Sequence, residues 1–152
     1  MGNEIGQFRE WDEKREQDWD LLRYPKHDEF HQFMKELHQV YLENPAFWQK
    51  DYEQEGFRWL DCHQEEKCIY VFERRCEKQS IVTVFNFSDR LQKGYELEMP
   101  EGKKLSLLFT SDDIEMKTKH PEYSADIPVE NKKAIMDLPP FTARYYKMEV
   151  ER

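Results

Sequence analysis

The sequence predicts a mainly β protein, an antiparallel β-sandwich preceded by a helix and a loop. Three observations predict it. The 152 residues suit one domain with an appendage. Apolar residues recur at helical spacing only in the front part, between Asp28 and Asn44. After Gly56 the apolar period changes to two, and short segments rich in β-branched and aromatic residues alternate with turn residues, as in sandwiches.

The chain is therefore expected to divide into residues 1–45 and 46–152. The predicted strands are residues 57–61, 69–72, 81–87, 95–99, 104–109, 134–138 and 142–150. Residues 112–133 are polar and irregular, and we expect them to loop out. Aromatic pairs within the strands, Tyr70 with Phe72 and Phe85 with Phe87, lie two residues apart, so each pair shares one face of its strand, and we expect that face to be the buried one.

The best-defined helix is predicted to begin at Asp28, a residue type that accepts hydrogen bonds from the first turn as an N-cap. Asn44 and Pro45 end it, because proline cannot continue a helix and restricts the residue before it. Its apolar stripe consists of Phe30, Phe33, Met34, Leu37 and Tyr41. This stripe is expected to pack against the sandwich or against a further part of a larger protein.

In front of the helix, residues 1–7 contain two glycines and few charges, and are typical of a buried strand end and its exit turn. Residues 9–24 are charged, with Trp11 and Trp19 among them, and predict a loop with one short helical turn. Two tryptophans on a loop need a surface to cover, either the rest of a larger domain or a ligand.

Charge and composition exclude several function classes. The net charge is -9 and the basic residues are interspersed with acidic ones, which argues against nucleic acid. No apolar run approaches the roughly 20 residues of a membrane span, and no secretory signal is visible, so we expect a cytoplasmic protein with no membrane partner. Cys62, Cys68 and Cys76 are expected to be free thiols.

Metal and cofactor sites are not predicted either. The cysteines have no zinc spacing. His27 and His31 stand four apart and His38 follows seven residues after His31, but no H-E-x-x-H pattern is present, and we expect these histidines to face solvent. No glycine-rich phosphate loop is present, and we expect no cofactor.

The order of several short motifs resembles the 1,4-α-glucan (glycogen) branching enzymes of the α-amylase superfamily. The matching segments are residues 1–7 (MGNEIGQ), 10–11 (EW), 18–22 (DWDLL), 41–48 (YLENPAFW), 51–61 (DYEQEGFRWLD), 69–74 (IYVFER), 84–87 (VFNF) and 137–140 (DLPP). Their serial order covers nearly the whole chain. The resemblance implies that the front part is a remnant of a (β/α)8 catalytic barrel and that the sandwich is the all-β domain that follows it.

The resemblance also implies a chemistry. These enzymes cleave an α-1,4 bond with retention and transfer the freed segment to a 6-hydroxyl, which needs two carboxyl groups about 5–5.5 Å apart. In the family both lie upstream of the segment matched by residues 1–7, so no catalytic residue is expected here and the chain alone should be inactive. Glu4, Trp11 and Trp19 are the expected substrate-binding residues, with ordinary structural roles as the competing explanation.

Two other functions stay open at this point: a stand-alone glucan-binding β-sandwich, and a C-terminal fragment of another α-amylase-type hydrolase. The expected partner is an α-glucan, glycogen or amylose, bound through the barrel, with self-association through the exposed barrel-facing surface. The β domain is expected to be mainly structural. Trp59, Tyr95 and Tyr123 are its candidates for weak glucan contact, and Trp59 is expected to be buried.

Overall fold

The computed structural model describes residues 2–99, 101–114 and 126–149, and it is mainly β. One helix, α1 (Pro25–Glu43), precedes the strands β1 (Phe57–Gln64), β2 (Ile69–Cys76), β3 (Gln79–Asn86), β4 (Gln92–Glu98), β5 (Lys104–Thr110), β6 (Ile127–Glu130), β7 (Lys133–Leu138) and β8 (Thr142–Glu149). Short 3₁₀ turns lie at Asn3–Ile5, Trp19–Arg23, Pro45–Phe47, Gln54–Gly56, Glu65–Lys67 and Ser111–Ile114.

The strands form one continuous antiparallel ladder in the order β1-β2-β3-β8-β5-β6-β7-β4. The ladder is narrow on both sides of β6: two residue pairs, Lys104 with Pro128 and Leu105 with Ile127, join it to β5, and two pairs join it to β7. At this junction the sheet folds back on itself, so that β4 and β7 pack against the inner face of β2, β3, β5 and β8. The result is the expected antiparallel sandwich with two layers.

The core lies between the two layers and is mostly aliphatic. Its buried members are Ile69, Val71, Val82, Val84, Leu105, Tyr146 and Met148 from one layer, and Tyr95, Leu97, Met99, Ile127, Ala134, Met136 and Leu138 from the other. Alternation along each strand sends every second residue inward. The seven predicted strands all correspond to observed ones.

The aromatic pairs of β2 and β3 lie on the outer face, so the expectation that they face the core is wrong. Tyr70 and Phe72 alternate with the core residues Ile69 and Val71, which occupy the inner side of β2. Packing among themselves gives the outer rings partial cover: Phe57 contacts Phe72, Phe72 contacts Phe85, and Phe87 contacts both Phe85 and Tyr70, with ring centroids 5.2–6.0 Å apart. We call this row, with Trp59 at its β1 end, the aromatic row.

Helix α1 begins at Pro25, three residues before the predicted cap, because proline at the first position of a helix loses no hydrogen bond there. Tyr24 precedes it, and its carbonyl accepts from the amides of His27 and Asp28. Asp28 lies inside the first turn, where its carboxylate accepts from the Gln32 amide nitrogen. The predicted end is confirmed, since Asn44 follows the last helical residue.

The apolar stripe of α1 touches the outer face of the sheet, but no residue of the helix is fully buried. Phe33 packs on Phe109 of β5, with ring centroids 5.3 Å apart. After the helix, Phe47 packs on Tyr145 of β8 at 5.5 Å. These contacts attach the helix to the sandwich while its other side stays open.

Strand β6 was not expected, because it lies in the stretch predicted to loop out. The segment Ile127–Glu130 alternates inward and outward and pairs with both β5 and β7. Asn131 and Lys132 then adopt left-handed backbone angles of φ 50 and 62, which a tight hairpin turn requires. Residues 115–125 of the predicted loop lie outside the described part of the chain.

Candidate functional site

The first described residues form a tight turn that packs against α1. Gly2 and Gly6 both have positive φ, 80 and 62. The Gly2 carbonyl accepts from the amides of Ile5 (3.3 Å) and Gln7 (3.0 Å). Ile5 is fully buried. This front turn, residues 2–7, therefore has one apolar anchor and carries Glu4 on its outside.

Arg9 closes the loop that follows the front turn. Its guanidinium donates to the Asp18 carboxylate at 2.8 Å and to the Glu16 carbonyl at 2.7 Å. The Gln7 side-chain oxygen accepts from the Asp18 amide at 2.9 Å. The hydrogen bond from Arg9 lowers the pKa of Asp18, and the same bond raises the pKa of Arg9. Both ends of the loop are thus held together beside Trp19.

Trp19 lines a recess of about 560 Å³ at the surface of this loop. Phe8, Leu21 and Tyr24 supply further apolar wall, and Asp18 and Asp20 supply carboxylates. Trp19 is 49% exposed and Trp11 is 65% exposed, but Trp11 does not line the recess. Glu4 is half-buried and also lies outside the recess lining. Of the three expected substrate-binding residues, only Trp19 contributes to this recess.

A second recess, of about 450 Å³, lies at the β1 end of the aromatic row. Trp59 forms its aromatic wall and is 50% exposed, so the expectation of a buried Trp59 is wrong. Its ring stands nearly perpendicular to Phe57 and Phe72, at 90° and 87°, and is half-covered by them. The polar wall consists of Arg58, Glu98, Asn131, Lys132 and Lys133.

The geometry of the second recess combines a tryptophan ring with several hydrogen-bonding groups. Arg58 is fixed by the buried carboxylate of Glu73, to which it donates twice at 2.8 Å. Sequence inspection found Trp59 but missed its polar partners, because these come from β1, β4 and the β6–β7 turn, which are far apart in the chain. The adjacent Asn131 and Lys132 between two apolar runs were the available signal for that turn.

Tyr95, another candidate for glucan contact, does not join Trp59. Tyr95 is 6% exposed and points into the core, where its hydroxyl donates to the Asp61 carboxylate at 2.6 Å. Burial and this hydrogen bond raise the pKa of Tyr95 far above its ordinary value. Tyr123 lies outside the described residues.

His27 and His31 of α1 both contact the front turn, so the expectation that these two face solvent is wrong. Each places a ring nitrogen within hydrogen-bond distance of a backbone carbonyl, His27 at Ile5 and His31 at Glu4.

Across residues 2–99, 101–114 and 126–149, no three metal-binding side chains lie close enough together to hold an ion. The three cysteines are free and half-buried. In that same part of the chain, no helix has both the length and the apolar character needed to cross a bilayer.

Sequence comparison relates the chain to known proteins. The family model described as alpha amylase, C-terminal all-beta domain, matches residues 59–149. The 1,4-alpha-glucan branching enzyme GlgB of Oceanobacillus iheyensis is 27% identical over an alignment covering 100% of this chain and 25% of that protein. The enzyme of the same name from Halothermothrix orenii is 36% identical over 74% of the chain and 18% of its own length. The chain therefore spans about a quarter or less of these relatives.

Structure comparison agrees on the fold. The structure of AmyP E221Q in complex with maltotriose superposes with a TM-score of 0.62 over 83% of this chain, at 12% identity, and the match covers 22% of that protein. An Anoxybacillus alpha-amylase gives 0.58 over 82% of the chain and 23% of its own length, at 19% identity.

Proposed function

Because the chain belongs to the alpha-amylase C-terminal all-beta domain family, we propose that it is the C-terminal portion of a 1,4-α-glucan branching enzyme. The observation that carries this proposal is the Oceanobacillus branching enzyme, which aligns with the whole chain, front segment included. A hydrolase fragment would share the β domain. The front segment with its Glu10-Trp11 and Asp18-Trp19 pattern favours the branching enzyme.

The parent enzyme transfers an α-1,4-glucan segment to a 6-hydroxyl and so forms α-1,6 branches in glycogen, in the cytoplasm. That reaction needs two carboxyl groups about 5–5.5 Å apart in the catalytic barrel. In this assignment both belong to the barrel that precedes the front turn. The chain itself is structural and inactive alone.

The structural task of the chain follows from its open surfaces. The front loop exposes Phe8, Trp11 and Trp19, and α1 leaves Leu42 open. Exposed apolar groups in such number are typical of an interface. In the parent enzyme they pack on the barrel. In the isolated chain the same surface drives self-association. Sedimentation of the chain over a range of protein concentrations measures this self-association.

Branching activity is tested on amylose with the purified chain, using iodine staining and enzymatic debranching. We expect no new α-1,6 linkages, because in this assignment the catalytic carboxylate pair belongs to the barrel. A full-length branching enzyme assayed in parallel is the positive control. Linkages formed by this chain alone would overturn the proposal.

Glucan contact is the secondary role that we propose for this chain. Glu4, Trp11 and Trp19 contact the glucan at the barrel side, where tryptophan faces stack on sugar rings and carboxylates accept from sugar hydroxyls. Trp19 is the strongest of the three, since it already lines a recess with Asp18 and Asp20. The variants Glu4→Gln, Trp11→Ala and Trp19→Ala, each titrated with maltoheptaose, test the three contacts separately.

A stand-alone glucan-binding module is the second candidate function, and one observation favours it. Trp59 is half-exposed beside Arg58 and Asn131 in its own recess, as a sugar site requires. The relatives that match the chain are named as enzymes, so we assign this recess a weak contact within the branching enzyme. Retardation of the chain in a glycogen gel measures it.

A further inference from the structure

Two imidazoles of α1 contact consecutive carbonyls of the front turn. His27 Nδ1 lies 2.8 Å from the Ile5 carbonyl oxygen. His31 Nδ1 lies 3.1 Å from the Glu4 carbonyl oxygen. Residues four apart on a helix lie on one face, one turn from each other. One face of α1 therefore contacts the backbone carbonyls of residues 4 and 5 through two neighbouring histidines.

These contacts fix the tautomer of both rings. A carbonyl oxygen only accepts, so each Nδ1 must carry the hydrogen. A neutral imidazole has a single N–H, and its position is set by the hydrogen bond that it makes. His27 is held further by two rings, with its centroid 5.2 Å from Phe8 and 6.4 Å from Tyr24. Each ring therefore carries a hydrogen on Nδ1, which in the neutral form makes it the Nδ1–H tautomer.

The front turn has two other attachments. The Ile5 side chain is fully buried, and the Gln7 side chain accepts from the Asp18 amide and donates to the Arg9 carbonyl. Gly6 is favoured by its backbone, whose φ of 62 side chains rarely adopt, and a Cβ there would stand at an ordinary contact distance of 3.5 Å from His27 Nδ1. The two imidazoles are the hydrogen bonds that hold the backbone carbonyls of Glu4 and Ile5 to α1.

We propose that His27 and His31 are positioning residues, a histidine latch that holds the backbone of Glu4 and Ile5 and thereby orients the Glu4 carboxylate. The inference rests on the proposed function for its consequence, since it is as a glucan contact that Glu4 needs a fixed direction. The latch itself is a statement about two hydrogen bonds and is tested without glucan.

The first test reads the tautomers directly. Nitrogen-15 imidazole spectra of the full 152-residue chain, recorded at about pH 9 where free imidazole is neutral, distinguish Nδ1–H from Nε2–H rings. We expect His27 and His31 to be Nδ1–H. His38 is the internal comparison, because it lies on the same helix and makes no hydrogen bond within the described residues. An Nε2–H form of either His27 or His31 overturns the latch.

The second test replaces the donor while keeping the fold. His27→Asn with His31→Asn retains an N–H donor near the δ position, whereas His27→Leu with His31→Leu removes it. Two hydrogen bonds of ordinary strength make the amide of Gln7 exchange about 10- to 30-fold faster in the leucine pair. The asparagine pair restores most of the protection, and His38→Asn leaves it unchanged. Equal exchange in the leucine pair and the parent chain contradicts the latch.

The third test connects the latch to Glu4. If the histidines act through Glu4, the double change His27→Leu with His31→Leu weakens maltoheptaose binding by the otherwise unmodified chain. The same double change has no further effect on binding when Glu4→Gln is already present. An equal loss in both backgrounds overturns the positioning role. If Glu4→Gln alone leaves the affinity unchanged while the tautomers and exchange rates are as expected, the latch stands and the proposed glucan role of Glu4 fails.

Discussion

The front part of the chain and its β domain are built on opposite principles. The β domain encloses its apolar residues between two layers, where residues such as Val71, Val84 and Leu105 are fully buried. In front of it, α1 buries no residue completely, and Ile5 is the fully buried apolar residue among the described residues of that part. From this difference we predict that the sandwich folds by itself, whereas the front part needs another surface to cover its apolar groups.

The largest effect is expected in the core of the sandwich. Leu105→Ala removes a fully buried side chain of β5 and should lower the free energy of unfolding by about 3 kcal/mol. The matched change on the front part, Leu42→Ala, removes a side chain that is 65% exposed and should cost less than about 0.5 kcal/mol. Urea denaturation measures both, and similar losses would refute the distinction.

Trp59→Ala is expected to have an intermediate effect on stability. The ring is half-covered by Phe57 and Phe72, so its loss should cost about 1–2 kcal/mol, below the roughly 3–5 kcal/mol of a buried tryptophan. It should also weaken retardation in a glycogen gel, without removing the part that Trp19 contributes. Phe87→Ala is the matched control, since Phe87 is 57% exposed at the other end of the aromatic row and does not line the recess. Retardation of Trp59→Ala equal to that of the unmodified chain would leave the recess without a glucan role.

Tyr95→Phe tests the hydrogen bond that joins β4 to β1. Its loss should lower the free energy of unfolding by about 1 kcal/mol at neutral pH. Because the folded pKa of Tyr95 is raised, this group stabilises the fold below the unfolded pKa of about 10 and loses that contribution as pH rises further.

Urea titrations at neutral and alkaline pH check this behaviour. The alkaline loss of stability should be smaller in Tyr95→Phe than in the parent chain. Tyr52→Phe, which changes a fully exposed residue, should behave as the parent does. An identical alkaline decline in Tyr95→Phe and the parent would contradict the assignment.

The smallest effect concerns the front loop. Since the pKa of Asp18 is lowered by Arg9, their pair is present above the unfolded pKa of aspartate, about 3.9, and is lost as pH falls through the folded value. Trp19 fluorescence should therefore change in this acid range, and Arg9→Gln should remove the change. Arg23→Gln, which breaks an exposed pair with Asp20, should retain it.

Much of the fold could be predicted because it depends on local patterns. Alternation located seven strands, and Asn44 with Pro45 marked the end of α1. Strand β6 was missed because its four residues follow a long polar stretch, and its pairing partners are distant in sequence. The outward orientation of Tyr70 and Phe85 was missed because alternation gives two faces without saying which is buried.

The site was less predictable for a related reason. Trp19 was predicted to bind substrate from its type and setting; it lines a recess, and its glucan contact stays a prediction. Arg58, Glu98 and Asn131 surround Trp59 only because the sheet turns over between β5 and β6. His27 and His31 were expected to face solvent, since a helix pattern does not show that a preceding turn folds back onto them.

Native-state hydrogen exchange of the dilute monomeric chain tests the central contrast most directly. We predict that the amides of Val71 and Val84 exchange only through global unfolding, whereas those of residues 3–24 exchange through local openings of much lower free energy. The latch increases the protection of amides in the front turn, but their protection stays below that of the strand amides. Protection of residues 3–7 equal to that of the strands would contradict the account, because the front part would then be as self-sufficient as the sandwich.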